Sequence, residues 1–139
     1  MKAKDLLKLA EEACETAYAP YSGFQVGAAL ECGDGTIIRG CNVENASYGL
    51  TVCAERIAVF KAVSDGHRKI SRIAIAGRDK DQKFRACCPP CGACRQVLAE
   101  FAGPDFRIVL GSSGGAYREY TLQELLPLSF ELEDRDESI

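Results

Sequence analysis

The sequence predicts an α/β fold in which helices cover both faces of a mixed β-sheet. Apolar runs of strand length alternate with segments of helical periodicity, and a tight turn joins the first two strand runs. Strands separated by helices favour a sheet covered on both faces, and a hairpin at its start makes that sheet mixed. We expect about five strands and four helices. A chain of 139 residues has the usual length of one domain, so we predict a single domain over 1–139.

The first elements are predicted to be a helix and a hairpin. Residues 4–18 place apolar and charged side chains on opposite sides of an amphipathic helix, which Pro20 closes. Apolar and polar residues then alternate over 26–32, the glycine-rich turn 33–35 follows, and a second β-rich run covers 36–43. This pattern indicates two antiparallel strands.

The rest of the chain predicts further helices and strands. Helices are expected over 53–63 and 91–101, strands over 70–77, 106–111 and 116–120, and a capping box at 121–124 opens a short last helix. The 53–63 segment has few strongly polar residues beyond its first turn, so we expect that helix to be nearly enclosed. Residues 131–139 carry five acids against one arginine and are predicted to be a flexible acidic tail.

Charge and hydropathy argue against nucleic-acid and membrane partners. The net charge is −3, from 17 basic and 20 acidic residues, and no run of Lys and Arg suits a phosphate backbone. Apolar stretches such as 26–30 and 73–77 are far shorter than the roughly 20 residues that cross a bilayer. Residues 1–14 mix charges with leucines, unlike the apolar core of a secretion signal. We therefore expect the eight cysteines to be reduced and the protein to be cytoplasmic.

Three cysteines have the spacing of a zinc site. Cys53 is followed by Ala54 and Glu55, Cys91 and Cys94 lie three apart, and each motif is predicted to open a helix. A helix N-terminus favours thiolate over thiol, and two cysteines in one turn reach the same ion. Structural zinc usually has four protein ligands, whereas three leave a place for water. We predict that Cys53, Cys91 and Cys94 bind one zinc ion whose open position suits hydrolysis.

Glu55 is the predicted proton shuttle. A carboxylate beside an activated water takes its proton and returns it to the substrate, and zinc nucleobase deaminases combine three metal ligands with such a glutamate. In that chemistry Glu55 protonates N3 of a cytosine ring as water attacks C4, and then protonates the departing amino group. Three thiolates outweigh the charge of one divalent cation. Arg56 and Arg95 are placed to offset the excess, and we favour Arg56.

Four further residues predict a nucleoside pocket. Asn42 and Glu44 lie two apart at the end of a strand, so both side chains face one way, and an amide beside a carboxylate suits the hydroxyls of ribose. Phe24 starts the preceding strand and offers an apolar wall for a base, while Tyr48 offers a ring and a hydroxyl. Glu44 would repel a phosphate, so free cytidine and deoxycytidine are the expected substrates.

Taken together, the motifs resemble those of the short, homotetrameric cytidine deaminases over nearly the whole chain. Segments 17–30, 39–50, 53–56 and 90–96 carry the resemblance. It implies a three-layer α/β/α sandwich with one zinc per subunit. It also implies conversion of cytidine and deoxycytidine to uridine and deoxyuridine with release of ammonia, a step of pyrimidine salvage.

The resemblance also assigns individual residues. It implies the zinc ligands and the proton shuttle already named, a base contact from the Ala54 backbone, and a pocket lined by Phe24, Asn42 and Glu44. It further implies active sites at subunit interfaces, with Phe130 contributed by a neighbouring subunit and Ala46 and Tyr48 also acting across the interface. Pro89 and the pair Cys87-Cys88 depart from the family's pattern, and this departure concerns the shape of the loop before Cys91 and Cys94.

The sequence alone leaves other interpretations open. The zinc is purely structural if Cys87, Cys88 or His67 fills the fourth position. The spacing of Cys91 and Cys94 also occurs in thiol oxidoreductases, although Cys53 then has no role. The remaining site residues also fit purely structural roles: Arg56 and Arg95 as surface charges, Phe24 and Tyr48 as core aromatics, and Asn42 and Glu44 as turn residues. A deaminase of a related cytosine-containing small molecule is the functional alternative within the same chemistry.

Overall fold

A computed structural model describes residues 1–111 and 116–132 of the chain. Over these residues it contains one five-stranded sheet formed by β1 (Gln25–Cys32), β2 (Ile37–Cys41), β3 (Ile70–Arg78), β4 (Ala102–Gly111) and β5 (Tyr117–Thr121). The α-helices are α1 (Ala3–Ala13), α2 (Ala54–Ser64), α3 (Gly92–Phe101) and α4 (Leu122–Leu125). None of the helices in the described residues is long and apolar enough to span a bilayer.

The sheet is mixed, as predicted. Its strand order is β2-β1-β3-β4-β5. β3 and β4 are parallel, while the other three neighbouring pairs are antiparallel. The parallel pair is joined through α3, as a crossover connection requires.

Helices cover both faces of this sheet, which confirms the predicted fold class. On one face α1 packs against small side chains, among them Ala29, Ala74 and Ala76. On the other face α2 and α3 pack against larger ones, including Ile73 and Ile75. The two sets alternate along β3 because successive strand side chains point to opposite faces.

Several element boundaries differ from the predicted ones. The first helix ends at Ala13, and Cys14–Thr16 form a short 3-10 turn, not a continuation to residue 18. The chain leaves the helix there because Tyr18 bonds through its backbone to Asn42 and Glu44. β4 begins at Ala102, before the predicted 106, because Pro104 stops a helix but is tolerated where the β3–β4 register is interrupted.

The helix α2 is less enclosed than its composition predicted. It buries Ala58, Val59 and Ala62 against the sheet, but Phe60 on its outer side is 49% exposed. At the C-terminal end, Thr121 and Glu124 form the predicted capping box. The single-domain assignment stays a prediction, and most of the predicted acidic tail, 133–139, lies outside the described residues, as does the connection 112–115.

Candidate active site

Two helix N-termini bring the three predicted zinc ligands together. Cys53 and Cys91 are the N-cap residues of α2 and α3, and Cys94 lies in the first turn of α3. The ligand atoms of the three all lie within 4.8 Å of one another. Cys53 Sγ is 3.7 Å from Cys91 Sγ, which is 3.4 Å from Cys94 Sγ. The helix ends therefore converge as the motif spacing predicted.

The donor set fits a zinc ion. Sulfurs at about 2.3 Å from a tetrahedral zinc are about 3.8 Å apart, and the measured separations of 3.7 and 3.4 Å are close to that value. The eight cysteines, all within the described residues, are free thiols. In the described part of the chain no fourth His, Cys, Asp or Glu joins the three. The cluster fits one zinc held by three thiolates.

Arg56, not Arg95, contacts the thiol cluster. Arg56 Nη2 donates to Cys53 Sγ at 3.6 Å. Arg95 instead donates to the Pro90 and Leu125 carbonyl oxygens, at 2.8 and 2.6 Å, and so fastens the start of α3 to the end of α4. A hydrogen bond from Cys94, with further ones from Arg56 and Cys91, lowers the pKa of Cys53 to about 5 although burial opposes this. The environment thus favours a thiolate at Cys53.

Glu55 lies beside the cluster with an oxygen that has no partner. It is 4% exposed, and burial, with a smaller contribution from Cys53, raises its pKa to about 7. Its Oε1 and the neighbouring Arg56 Nε are buried without a hydrogen-bond partner in the described residues. Buried polar atoms are rarely left unpaired in folded proteins. The unpaired carboxylate oxygen therefore indicates a place for a bound group.

A cavity of about 300 Å³ opens in front of Glu55. It is lined by Ser22, Phe24, Val26, Asn42, Glu44, Tyr48, Thr51, Cys53, Ala54, Glu55, Cys88, Pro89 and Cys91. The cavity joins five of the seven predicted substrate-binding residues to the thiol cluster and Glu55. A larger cavity of about 670 Å³ lies between α1, β2 and α2, around Glu12, Arg39 and Lys61, and contains none of these groups.

Asn42 and Glu44 are buried and hydrogen-bonded to the chain. Asn42 Nδ2 donates to the Phe24 carbonyl oxygen and Asn42 Oδ1 accepts from Val26 N, both at 2.9 Å. Glu44 is 4% exposed, and its Oε1 accepts from Tyr21 N at 3.0 Å and Ser22 N at 3.1 Å. The Ser22 hydroxyl, the largest contributor, lowers the Glu44 pKa. Both side chains hold the entry to β1 in place, and neither is a solvated turn residue.

The Phe24 ring is held from two sides. The guanidinium carbon of Arg85 lies 4.8 Å from the ring centroid. A Cβ atom on Gly77 would lie 2.6 Å from Phe24 Cζ, so the ring fits only because β3 has no side chain there. Arg85 N in turn donates to the Gly77 carbonyl oxygen at 2.8 Å. The ring is a fixed wall of the cavity.

The structure does not bring every predicted residue to the cavity. Tyr48 lines it but is 65% exposed. Ala46 is exposed on the same loop and does not line the cavity. Phe130 is 70% exposed and lies by α3, where Gln96 Nε2 donates to its carbonyl oxygen at 3.1 Å. Ala46 and Phe130 thus lie outside the cavity of their own chain.

Sequence reasoning missed several residues of the cavity wall. Ser22, Val26, Thr51, Cys88 and Pro89 line it. Ser22 lies two residues before Phe24, and this closeness to a predicted pocket residue is the only sign in the sequence that Ser22 lines the cavity. The sequence pointed to Cys88 and Pro89 only through the shape of their loop and, for Cys88, through a possible fourth zinc position. Because tertiary packing sets the path of a loop, neither residue could be placed on the cavity wall from the sequence.

Comparison with known proteins points to one family. The family model described as the cytidine and deoxycytidylate deaminase zinc-binding region matches residues 1–111. A cytidine deaminase of Halalkalibacterium halodurans is 52% identical over 132 residues, which cover 95% of this chain and 96% of that protein.

A solved structure and a second kind of relative extend the comparison. The crystal structure of a cytidine deaminase from Burkholderia pseudomallei superposes with a TM-score of 0.84 at 45% identity, covering 94% of this chain and 100% of that one. A blasticidin-S deaminase of Bacillus cereus is 32% identical over 130 residues, 89% of this chain and 91% of that protein.

Proposed function

The chain belongs to the family of zinc-dependent cytidine and deoxycytidylate deaminases, and on that premise we propose that its site hydrolyses free cytidine and deoxycytidine to uridine and deoxyuridine with release of ammonia. The observation that carries the proposal is the cavity in which Cys53, Cys91 and the unpaired oxygen of Glu55 meet the residues Asn42 and Glu44. The products, uridine and deoxyuridine, are pyrimidine nucleosides that the cell can reuse. The reaction is therefore a step of pyrimidine salvage.

Cys53, Cys91 and Cys94 would hold the zinc, and Arg56 would offset part of their negative charge. When bound, zinc supplies a Lewis-acidic centre that lowers the pKa of a water molecule. The hydrogen bond from Arg56 Nη2 to Cys53 Sγ withdraws charge from that sulfur and fixes its orientation.

Glu55 is the proposed proton carrier. Its Oε1 is buried and has no partner in the described residues, so it is available to a water and to the edge of a base. Glu55 takes a proton from the water as the water oxygen attacks C4 of the pyrimidine, and gives it to N3. The remaining proton, on the new C4 hydroxyl, then passes through the same carboxylate to the amino nitrogen. The C4–N bond breaks, ammonia leaves and the C4 carbonyl forms.

Asn42 and Glu44 are the proposed sugar ligands, and a count of their hydrogen-bonding capacity supports this. An ionised carboxylate has about four acceptor positions, and Tyr21 N, Ser22 N and the Ser22 hydroxyl occupy three, two of them on Oε1. Asn42 retains one amide hydrogen after its bond to the Phe24 carbonyl oxygen. A sugar hydroxyl is able to donate to Glu44 Oε2 and accept from Asn42 Nδ2 at the same time.

The base is proposed to lie between aromatic and backbone groups. Phe24 presents a fixed ring, and Tyr48 lies at the open side of the cavity. Ala54 is the first residue of α2, where a backbone N–H has no acceptor within the helix. A ring carbonyl oxygen suits that donor.

Nucleosides are favoured over nucleotides. Among the described residues, no Lys or Arg lines the cavity, whereas Glu44 does. A phosphate would meet a carboxylate without an opposing cation. The Asn42 amide and the Glu44 carboxylate together are able to bind one sugar hydroxyl and do not require both hydroxyls of ribose. Cytidine and deoxycytidine are therefore both proposed as substrates.

The proposal extends to a homotetramer with active sites at subunit interfaces. It is supported by exposed apolar side chains that a single chain leaves uncovered, including Tyr48, Leu50, Leu128 and Phe130. Phe130, Ala46 and Tyr48 are proposed to complete a neighbouring subunit's site. Tyr48 and Leu50 belong to one short 3-10 turn, and Leu128 and Phe130 lie two residues apart; exposed apolar patches mark interaction surfaces.

A cytoplasmic location is part of the same proposal. Eight free cysteines, three of which are needed as thiolates, suit a reducing compartment.

The proposal is tested by measuring ammonia release from a panel of compounds with the zinc-loaded protein. Cytidine, deoxycytidine, cytosine, cytidine monophosphate, blasticidin S and adenosine form the panel. Cytidine and deoxycytidine are expected to be turned over, with cytidine monophosphate and adenosine inert. Turnover of the monophosphate or of blasticidin S in preference to cytidine would contradict the substrate assignment.

The structural-zinc alternative is not favoured. Within the described residues, neither Cys87, Cys88 nor His67 joins the ligand cluster. His67 lies beyond the C-terminal end of α2, where its Nδ1 is 3.8 Å from Asp34 Oδ2. Absence of ammonia from every compound in the panel would restore that alternative.

A further inference from the structure

Ser22 donates two hydrogen bonds to Glu44, and the neighbouring Tyr21 N–H donates a third. The Ser22 hydroxyl donates to Glu44 Oε2, and the backbone N–H groups of Ser22 and Tyr21 donate to Oε1 at 3.1 and 3.0 Å. Ser22 also lines the cavity. The loop before β1 therefore surrounds the carboxylate proposed to bind the sugar.

The direction of the Ser22 hydroxyl is fixed by its other partner. Phe24 N donates to Ser22 Oγ at 2.9 Å. In that bond the Ser22 oxygen is the acceptor, so its hydrogen is free to point elsewhere. An ionised Glu44 can only accept a hydrogen bond, so the Ser22 hydroxyl donates to it. Gly23, at a φ of +72°, gives the turn the left-handed backbone that glycine adopts readily. Ser22 thus links the base wall at Phe24 to the sugar ligand at Glu44.

We propose that Ser22 is a positioning residue for sugar recognition, whose hydroxyl holds Glu44 with its Oε2 directed into the cavity. This inference rests on the proposed function. Without the hydroxyl, Oε1 keeps its two backbone donors, but Oε2 loses its anchor and the carboxylate turns about its terminal bond. Loss of this hydrogen bond therefore weakens binding of the sugar and leaves the rate of the chemical step unchanged.

Steady-state kinetics of the zinc-loaded protein test the inference. Ser22→Ala is expected to raise KM for cytidine about tenfold, with kcat changed less than about twofold. Ser22→Thr keeps a hydroxyl and is expected to restore a KM near that of the wild type. For 2′,3′-dideoxycytidine, which lacks the 2′- and 3′-hydroxyls, Ser22→Ala and the wild type should have the same KM.

A double-mutant cycle shows whether Ser22 acts through Glu44. In the Glu44→Gln background, Ser22→Ala should change KM less than about twofold, because the group it positions is already replaced. Ser71→Ala is the matched control: Ser71 Oγ, like Ser22 Oγ, makes two hydrogen bonds, here to the Glu31 and Cys32 carbonyl oxygens, but at the far end of β3. It should leave both constants unchanged.

Three results would overturn the inference about Ser22 while the proposed function stands. They are an unchanged KM in Ser22→Ala, a fall in kcat alone, and a fully additive effect of Ser22→Ala in the Glu44→Gln background. If the wild type releases no ammonia from cytidine, the proposed function fails and the inference falls with it. If Ser22→Ala does not fold, Ser22→Cys, with a weaker donor, replaces it, and an unchanged KM there has the same meaning.

Discussion

A Cβ atom on Gly40 would lie 2.5 Å from the Ala54 carbonyl oxygen and 2.6 Å from Ala58 N. Strand β2 and the first turn of α2 therefore meet backbone to backbone. Cys53 and Glu55 flank Ala54, so the positions of the proposed metal ligand and the proposed proton carrier depend on a strand residue that has no side chain.

Gly40→Ala is predicted to destabilise the fold and loosen the zinc site. The added methyl group has no room, and overpacking of this kind costs about 1–3 kcal/mol. Thermal unfolding should show a lower Tm, and zinc should pass to a chelator faster than from the wild type. Gly103→Ala is the control because no atom lies within 4 Å of its Cβ position. Equal Tm and zinc loss in the two variants would contradict the close packing.

Arg56→Gln is predicted to weaken zinc retention about 10–100-fold, the usual effect of removing a hydrogen bond to a metal ligand. The reason is the loss of the charged donor to Cys53 Sγ. Competition with a chromogenic chelator measures the effect. Arg68→Gln removes the same charge beyond the other end of α2, where Arg68 Nη1 donates to the Val63 carbonyl oxygen at 2.8 Å, and should leave zinc affinity unchanged. A matching loss in both variants would mean that overall charge, and not the contact, is responsible.

The sequence was enough to predict the sheet and the ligand cluster, because those depend on local patterns. Apolar alternation located β1, and cysteines at predicted helix starts located Cys53 and Cys91. The pairing of β1 with β3 and the bonds of Glu44 to Tyr21 and Ser22 were not predictable, since contacts between distant segments depend on the packed core. Asn42 was predicted to bind substrate from its position beside Glu44 at a strand end and from the family resemblance, and only the structure revealed its bonds to the Phe24 and Val26 backbone.

The contribution of Glu44 to stability is predicted to depend on pH. Hydrogen bonds, first from the Ser22 hydroxyl, lower its pKa below the ordinary value of 4.5. A carboxyl whose pKa is lowered by folding stabilises the fold above its ordinary pKa, and the effect disappears as pH falls through the lowered value. Urea unfolding should therefore show the wild type more stable than Glu44→Gln at pH 7, with the difference shrinking below about pH 4.5. A difference that stays constant down to pH 3 would rule out this linkage.

Mixing two defective chains tests the proposed sharing of sites between subunits. Phe130→Ala removes the aromatic residue proposed to enter a neighbour's site, and Glu55→Gln removes the proton carrier. In a mixed oligomer, a site with Glu55 from one chain and Phe130 from the other is intact, so co-expression should give more activity than the sum of the two separate variants. Glu55→Gln co-expressed with the double variant Glu55→Gln/Phe130→Ala is the inactive control. Simple additivity would argue that each site is formed by one chain.

The proposed role of Glu55 is to carry protons at a zinc site formed by Cys53, Cys91 and Cys94. The measurement is zinc content and uridine formation from cytidine, made on the same samples of wild type and Glu55→Gln. We expect one zinc per chain in both proteins and a turnover lower by about 10²–10⁴-fold in the variant, the usual contribution of a general acid–base. A variant that keeps its zinc and forms uridine at the wild-type rate would exclude Glu55 as the proton carrier.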